Sequence, residues 1–86
     1  MNKYDIYEVS ELTPVIGRQK SFYGKAHIIN TGAVLALQSY DTIVCKIDNI
    51  TGDIIECKKG VYSRTTDRHI KDFLYQFGGD NYFNYY

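Results

Sequence analysis

The chain has 86 residues, with ten Lys plus Arg against ten Asp plus Glu, nine Tyr, four Phe and no Trp. That length suits one domain over residues 1–86 with a single modest core, and it argues against a deep, enclosed catalytic pocket. A formal net charge of zero excludes a global field that would steer the chain to nucleic acid or to an anionic membrane, leaving only local patches.

In chain order, "KYDIYEV" (3–9) is rich in Tyr, Ile and Val and reads as a strand, with Tyr4 and Ile6 on one face and Tyr7 and Val9 on the other. This end has no apolar run of signal-peptide length, and no stretch approaches about 18 apolar residues, so the expectation is a cytoplasmic protein with no membrane partner. "SELTPVIGRQKS" (10–21) reads as a loop, because Pro14 fixes its own backbone and pushes Thr13 to an extended shape.

Four apolar segments follow, each closed by turn residues. "FYGKAHII" (22–29) ends at "NTG", "AVLALQS" (33–39) at "YD", "TIVCKID" (42–48) at "NITG", and "DIIECKKGVYS" (53–63) leads onward. Short apolar runs at a spacing of about ten residues predict antiparallel hairpins rather than strands alternating with helices. Leu35 and Leu37 share one face, as do Ile43, Cys45 and Ile47, while Lys46 and Asp48 point to solvent. Gly24, inside its segment, predicts a bulge or close backbone packing.

The last element is helical. Ile70, Phe73, Leu74 and Phe77 stand at i, i+3, i+4, i+7, which predicts an amphipathic helix over 65–77. Thr65 or Thr66 supplies the N-cap oxygen, Asp67 suits the positive end of the dipole, and Gly78-Gly79 closes the far end. Arg68 with Asp72, and Asp67 with Lys71, are four apart and can pair. The fold class is therefore α+β: an antiparallel β-meander of four or five strands with one C-terminal amphipathic helix packed on one face.

Ser63, Thr66, Asp67 and His69 lie close in sequence, yet four residues around a helix start more simply make a cap and a polar first turn than a catalytic triad. His69 falls at the border of the apolar stripe and is expected to steady the helix against the sheet. No phosphate-loop or nucleophile-elbow pattern is present, and no catalytic residue is assigned. The soft metal ligands are Cys45, Cys57, His27 and His69, without CxxC or HxxxH spacing. If Asn49 pairs with Asp53, Cys45 stands opposite Cys57, on the face shared with Ile55. That face is apolar, where free Cys is usually a small hydrophobe, and no metal or cofactor is assigned. Two basic patches are legible, Arg18 with Lys20 and Lys25, and Arg64 with Arg68 and Lys71. Asp67 and Asp72 interrupt the second, which disfavours direct nucleic-acid binding.

"SFYGKA" (21–26), "LQSYDTIV" (37–44) and "YSRTTDRHIKDFL" (62–74) resemble, in that order, a group of small uncharacterised proteins from phages and other mobile elements of Gram-positive bacteria. Cys45 and Cys57 are not part of that pattern. The resemblance implies an accessory protein acting in the cytoplasm of a host bacterium, and it transfers no functional residue. By analogy with anti-CRISPR proteins, it implies a non-enzymatic inhibitor that binds a host defence protein, with a CRISPR-Cas effector as the sharpest example. A nucleic-acid-associated accessory factor and a small metal-stabilised structural domain are the alternatives.

The residues expected to bind such a partner are Arg68, Lys71, Asp72 and Tyr75 on the solvent face of the helix, and Tyr82, Phe83, Tyr85 and Tyr86 in the aromatic tail "DNYFNYY". Arg and Tyr are the side chains that most often anchor interfaces. The competing reading is a solvated helix face with the tail folded onto its own sheet.

Overall fold

A computed structural model describes residues 8–17 and 19–85, with side chains through residue 83. It contains five strands, β1 (Glu8–Glu11), β2 (Ala26–Asn30), β3 (Val34–Ser39), β4 (Thr42–Asp48) and β5 (Ile54–Cys57), followed by helix α1 (Arg64–Phe77) and a short α2 (Asn81–Tyr85). The strands form one antiparallel sheet in chain order, β1-β2-β3-β4-β5. The α+β meander with a C-terminal helix is thus the fold.

Turn chemistry explains why the chain reverses where it does. At the β4–β5 turn, the Asp48 carboxylate accepts the N–H groups of Ile50 (2.8 Å) and Thr51 (2.9 Å). Those bonds stabilise the ionised carboxylate and hold its pKa below the ordinary carboxylate range, the Thr51 amide contributing most. Gly52 follows at φ +79°, a left-handed backbone that suits glycine. A Cβ there would come within 3.3 Å of the carbonyl oxygens of Phe77 and Gly78, so this turn packs directly on the end of α1.

One face of the sheet carries the core. Ile28, Leu35, Leu37, Val44, Cys45 and Ile47 from the strands meet Ile70, Phe73 and Leu74 of α1, with Leu12 and Phe22 filling the side. Ile70, Phe73 and Leu74 are fully buried, while Phe77, at the end of the stripe, is partly exposed.

Two bulges shift the facing of residues from simple alternation. Leu37 pairs with Cys45 but Gln38 pairs with Ile43, so Val44 is the extra residue. It turns inward beside Cys45, and Ile43 moves to the face of Gln38, away from Cys45 and Ile47. Lys46 pairs with Glu56 but Ile47 pairs with Ile54, so Ile55 is extra. Ile54 and Cys57 pack on the core, and Ile55 is exposed rather than sharing their face.

Other expectations are corrected at element ends. Ser10 and Glu11 belong to β1 rather than to a loop, and the start of the 3–9 segment lies outside the described residues. Gly24, at φ +73°, sits in a turn before β2 rather than in a bulge. The 53–63 segment is a strand only as far as Cys57, because a turn closes with Val61 N–H donating to the Lys58 carbonyl. The N-cap is Ser63 rather than Thr65 or Thr66, its hydroxyl accepting the Thr66 N–H at 3.2 Å.

Candidate partner-binding face on α1

The outer side of α1 presents Arg64, Arg68, Lys71 and Tyr75, all exposed. Their spacing of i, i+4, i+7, i+11 forms one stripe along the helix, opposite Ile70, Phe73 and Leu74. Two acids occur in the same stretch, and both are turned to other work. Asp67 Oδ1 accepts the Gly60 N–H at 2.9 Å, tying the preceding turn to the first turn of the helix.

Asp72 is not a solvent-face residue, which corrects its placement on the exposed side of the helix. It is 3% exposed. Its carboxylate accepts the backbone N–H of Val15 at 2.9 Å and of Ile16 at 3.4 Å, plus the Gln76 side-chain amide at 2.9 Å. Gln76 Nε2 also donates to the Thr13 carbonyl at 2.8 Å. Residues 13–16 therefore cross over α1 as a strap, with Leu12 and Pro14 buried beneath it. Two backbone donors of the strap thereby find a charged acceptor.

With both acids engaged elsewhere, the expected Arg68–Asp72 and Asp67–Lys71 pairs do not form. Among the described residues, the side chains of Arg64, Arg68 and Lys71 have no hydrogen bond or ion pair. Unpartnered cations on neighbouring helical turns repel one another, and that repulsion is relieved by an external anion.

Two clefts adjoin this stripe. The first, about 290 Å³, lies between strap and helix and is lined by Ile16, Gly17, Gln19, Phe22, Arg68, Lys71 and Asp72. The second, about 300 Å³ and more open, is lined by Lys59, Arg64, Asp67, Arg68 and Lys71. Arg68 and Lys71 belong to both and join them into one basic groove. Lys59 and Gln19 escaped the sequence reading. Lys59 arrives through the "KKG" turn, whose Gly60 is held by Asp67, and Gln19 lies beyond the strap in sequence.

At the other end of the stripe the aromatic side chains cluster. Tyr75 meets Tyr82 edge-on with ring centroids 5.2 Å apart, and Tyr82 meets Phe83 at 5.1 Å. Tyr82 is half-buried against the core while Phe83 is 71% exposed. Asn81 Nδ2 donates to the Gly52 carbonyl at 2.7 Å, so the start of α2 is docked on the β4–β5 turn. The tail both folds back and presents aromatic surface. The side chain of Tyr85, and Tyr86, lie outside the described residues.

His69 is placed beneath the helix start, 1% exposed. Its Nδ1 is 2.8 Å from Ser39 Oγ, which is 3.0 Å from Thr66 Oγ1. Phe22 packs edge-on against the imidazole, centroids 4.5 Å apart. Burial lowers the basicity of His69, opposed by the nearby Asp72 charge. The Ser39–His69 pair has the atoms of a nucleophile and base, but both are sealed under the helix and neither lines either cleft. It links β3 to α1 as a satisfied buried network.

The soft ligands do not converge. His27 pairs with Glu11 and Gln38 in the sheet, and its neighbour Ile28 lies in the row with Leu37 and Cys45, so His27 projects to the opposite face from the cysteines. Cys45 does stand opposite Cys57. No group of three or more His, Cys, Asp or Glu among the described residues is arranged to hold a metal ion. No helix among them is long and apolar enough to cross a membrane.

A family of unknown function, DUF8033, matches residues 10–84. No curated protein and no solved structure matches the chain.

Proposed function

We propose, from the premise that the chain belongs to this family of unknown function, that it acts by binding rather than catalysis and docks an acidic protein surface on the outer face of α1. The carrying observation is the run Arg64, Arg68 and Lys71, without hydrogen-bond or ion-pair partners among the described residues, while Asp67 and Asp72 are bonded to backbone amides. A carboxylate entering the groove meets Arg68 and Lys71 together, and the Arg fork binds it through two parallel bonds. The exposed rings of Tyr75 and Phe83 supply the apolar contact that a purely ionic surface lacks.

The resemblance of the three sequence blocks to phage and mobile-element proteins directs the choice of partner. We propose a host defence protein, with a CRISPR-Cas effector as the first candidate, and inhibition by occupying its surface. Arg68→Glu with Lys71→Glu is expected to abolish capture of that effector while leaving the melting temperature near wild type, since neither side chain is packed. Undiminished capture by the folded double variant refutes the face.

The basic groove also favours a second reading, a nucleic-acid backbone beside the first turn of α1. Salt separates the two. Phosphate binding weakens with a log–log slope of about −0.9 per neutralised phosphate on duplex DNA. An acidic protein surface with aromatic anchors loses mainly association rate as salt rises.

A further inference from the structure

The edge of the sheet holds a second feature, independent of the α1 face. Cys45 and Cys57 are direct cross-strand partners in β4 and β5. Lys58 N–H donates to the Val44 carbonyl at 2.9 Å, so 44 and 58 are a hydrogen-bonded pair. The next pair along, 45 and 57, is therefore a non-hydrogen-bonded pair. In that type the Cα atoms stand about 4.5 Å apart and the side chains are closest. This lies at the short end of the range a disulfide spans, roughly 4.4–6.8 Å. Both cysteines are free thiols, and their side chains are in hydrogen-bonding contact.

The two thiols differ in access. Cys45 is 1% exposed, in the core. Its thiol is pushed above the ordinary range, first by the hydrogen bond with Cys57 and then by burial. Cys57 is only partly buried, on β5, which among the described residues pairs with β4 alone. An oxidant from solvent meets Cys57 first, with Cys45 already touching it as the resolving thiol.

We propose that Cys57 and Cys45 form a peroxide-responsive oxidation site that closes a reversible disulfide between β4 and β5. In the first step hydrogen peroxide oxidises the Cys57 thiol to a sulfenic acid. An S–O bond forms, the O–O bond breaks and one water leaves. In the second step the Cys45 sulfur attacks the Cys57 sulfur. The S–S bond forms, the S–O bond breaks, and the Cys45 thiol proton departs with the hydroxyl as a second water. The two thiols lose two electrons and two protons, and the peroxide takes up both.

The experiment treats the folded full chain with hydrogen peroxide and reads free thiols, intact mass and non-reducing electrophoresis. Both thiols are expected to disappear together, the mass to fall by two hydrogens, the chain to stay monomeric, and dithiothreitol to restore it. Cys45→Ala is expected to leave a sulfenic acid on Cys57 that a dimedone probe captures. Cys57→Ala is expected to keep Cys45 reduced. Unreactive thiols, oxidation of Cys57 to the sulfinic acid with Cys45 still free, or disulfides only between chains would each overturn the proposal. These readouts on the wild-type chain decide it even if a variant fails to fold.

Discussion

Asp72→Ala is the most informative single perturbation. The substitution removes the acceptor for Val15 N–H at 2.9 Å, for Ile16 N–H at 3.4 Å and for the Gln76 amide at 2.9 Å. A hydrogen bond to a charged group contributes about 1.5–3 kcal/mol, and Val15, 58% exposed, can give its freed amide to water. The 3.4 Å contact is weak, and Gln76, half-buried, can turn to water. Deleting the carboxylate also relieves its own desolvation. The net expectation is a loss of about 2 kcal/mol, which in a domain of this size lowers the melting temperature by roughly 8–16 °C. Asp72→Asn keeps one acceptor for Val15 but places an amide donor against Ile16 N–H or Gln76, and should lose about half as much. Urea unfolding followed by circular dichroism measures both. If Asp72→Ala unfolds within about 0.5 kcal/mol of wild type, the carboxylate does not hold the strap and the reasoning fails.

The remaining predictions concern the core, the buried histidine, the helix end and the tail. Phe73, fully buried between α1 and the sheet, should lose about 3–5 kcal/mol on change to Ala, read from the urea midpoint. His69 is less basic folded than its ordinary value of 6.5. Its neutral form therefore favours the fold above that value, and this stability is lost as pH falls below it, when the unfolded state takes up the proton first. A melting profile between pH 8 and pH 5 should show that loss, and it should flatten in folded His69→Gln. Gly52→Ala should destabilise by about 1–3 kcal/mol through its left-handed φ and its approach to the end of α1, measurable by thermal melting. Truncation after Gly79 removes the Asn81–Gly52 bond and the Tyr82 packing. It should lower stability by about 1–3 kcal/mol without unfolding the sheet, checked by circular dichroism.

The meander was legible because its turns are local: Asn30-Thr31-Gly32 and Asp48 through Gly52 carry their own geometry. The bulges were not, since the extra residues, Val44 and Ile55, are chemically no different from their neighbours and only pairing across strands reveals them. The Cys45–Cys57 pairing was reached through two offsetting slips. The turn pairs Asp48 with Asp53, Asp48 N–H donating to the Asp53 carbonyl, rather than Asn49 with Asp53. The Ile55 bulge then restores the offset. The exposure of Arg68, Lys71 and Tyr75 on one helix face was legible from the helical wheel, and the Tyr82 and Phe83 rings reach the end of that face through α2. Asp72 was misplaced by the same wheel. A wheel knows one helix and one sheet, and it cannot know that residues 13–16 pass over the far side. The signal that could have shown this was "LTPVI", too apolar for a loop left in water.

The strap has a kinetic consequence. Every sheet pairing joins strands adjacent in the chain, so each ladder closes a short loop and forms early. The Asp72–Val15 bond spans 57 residues, and its closure carries a larger entropic penalty that is repaid only after α1 has docked. It should form last in folding and release first in native-state opening. The amides of Val15 and Ile16 would then exchange hydrogen through a partial opening that leaves the β3–β4 ladder protected. The first cleft, which needs both strap and helix as walls, exists only in the closed state, so its binding-competent population is set by that local equilibrium rather than by global unfolding.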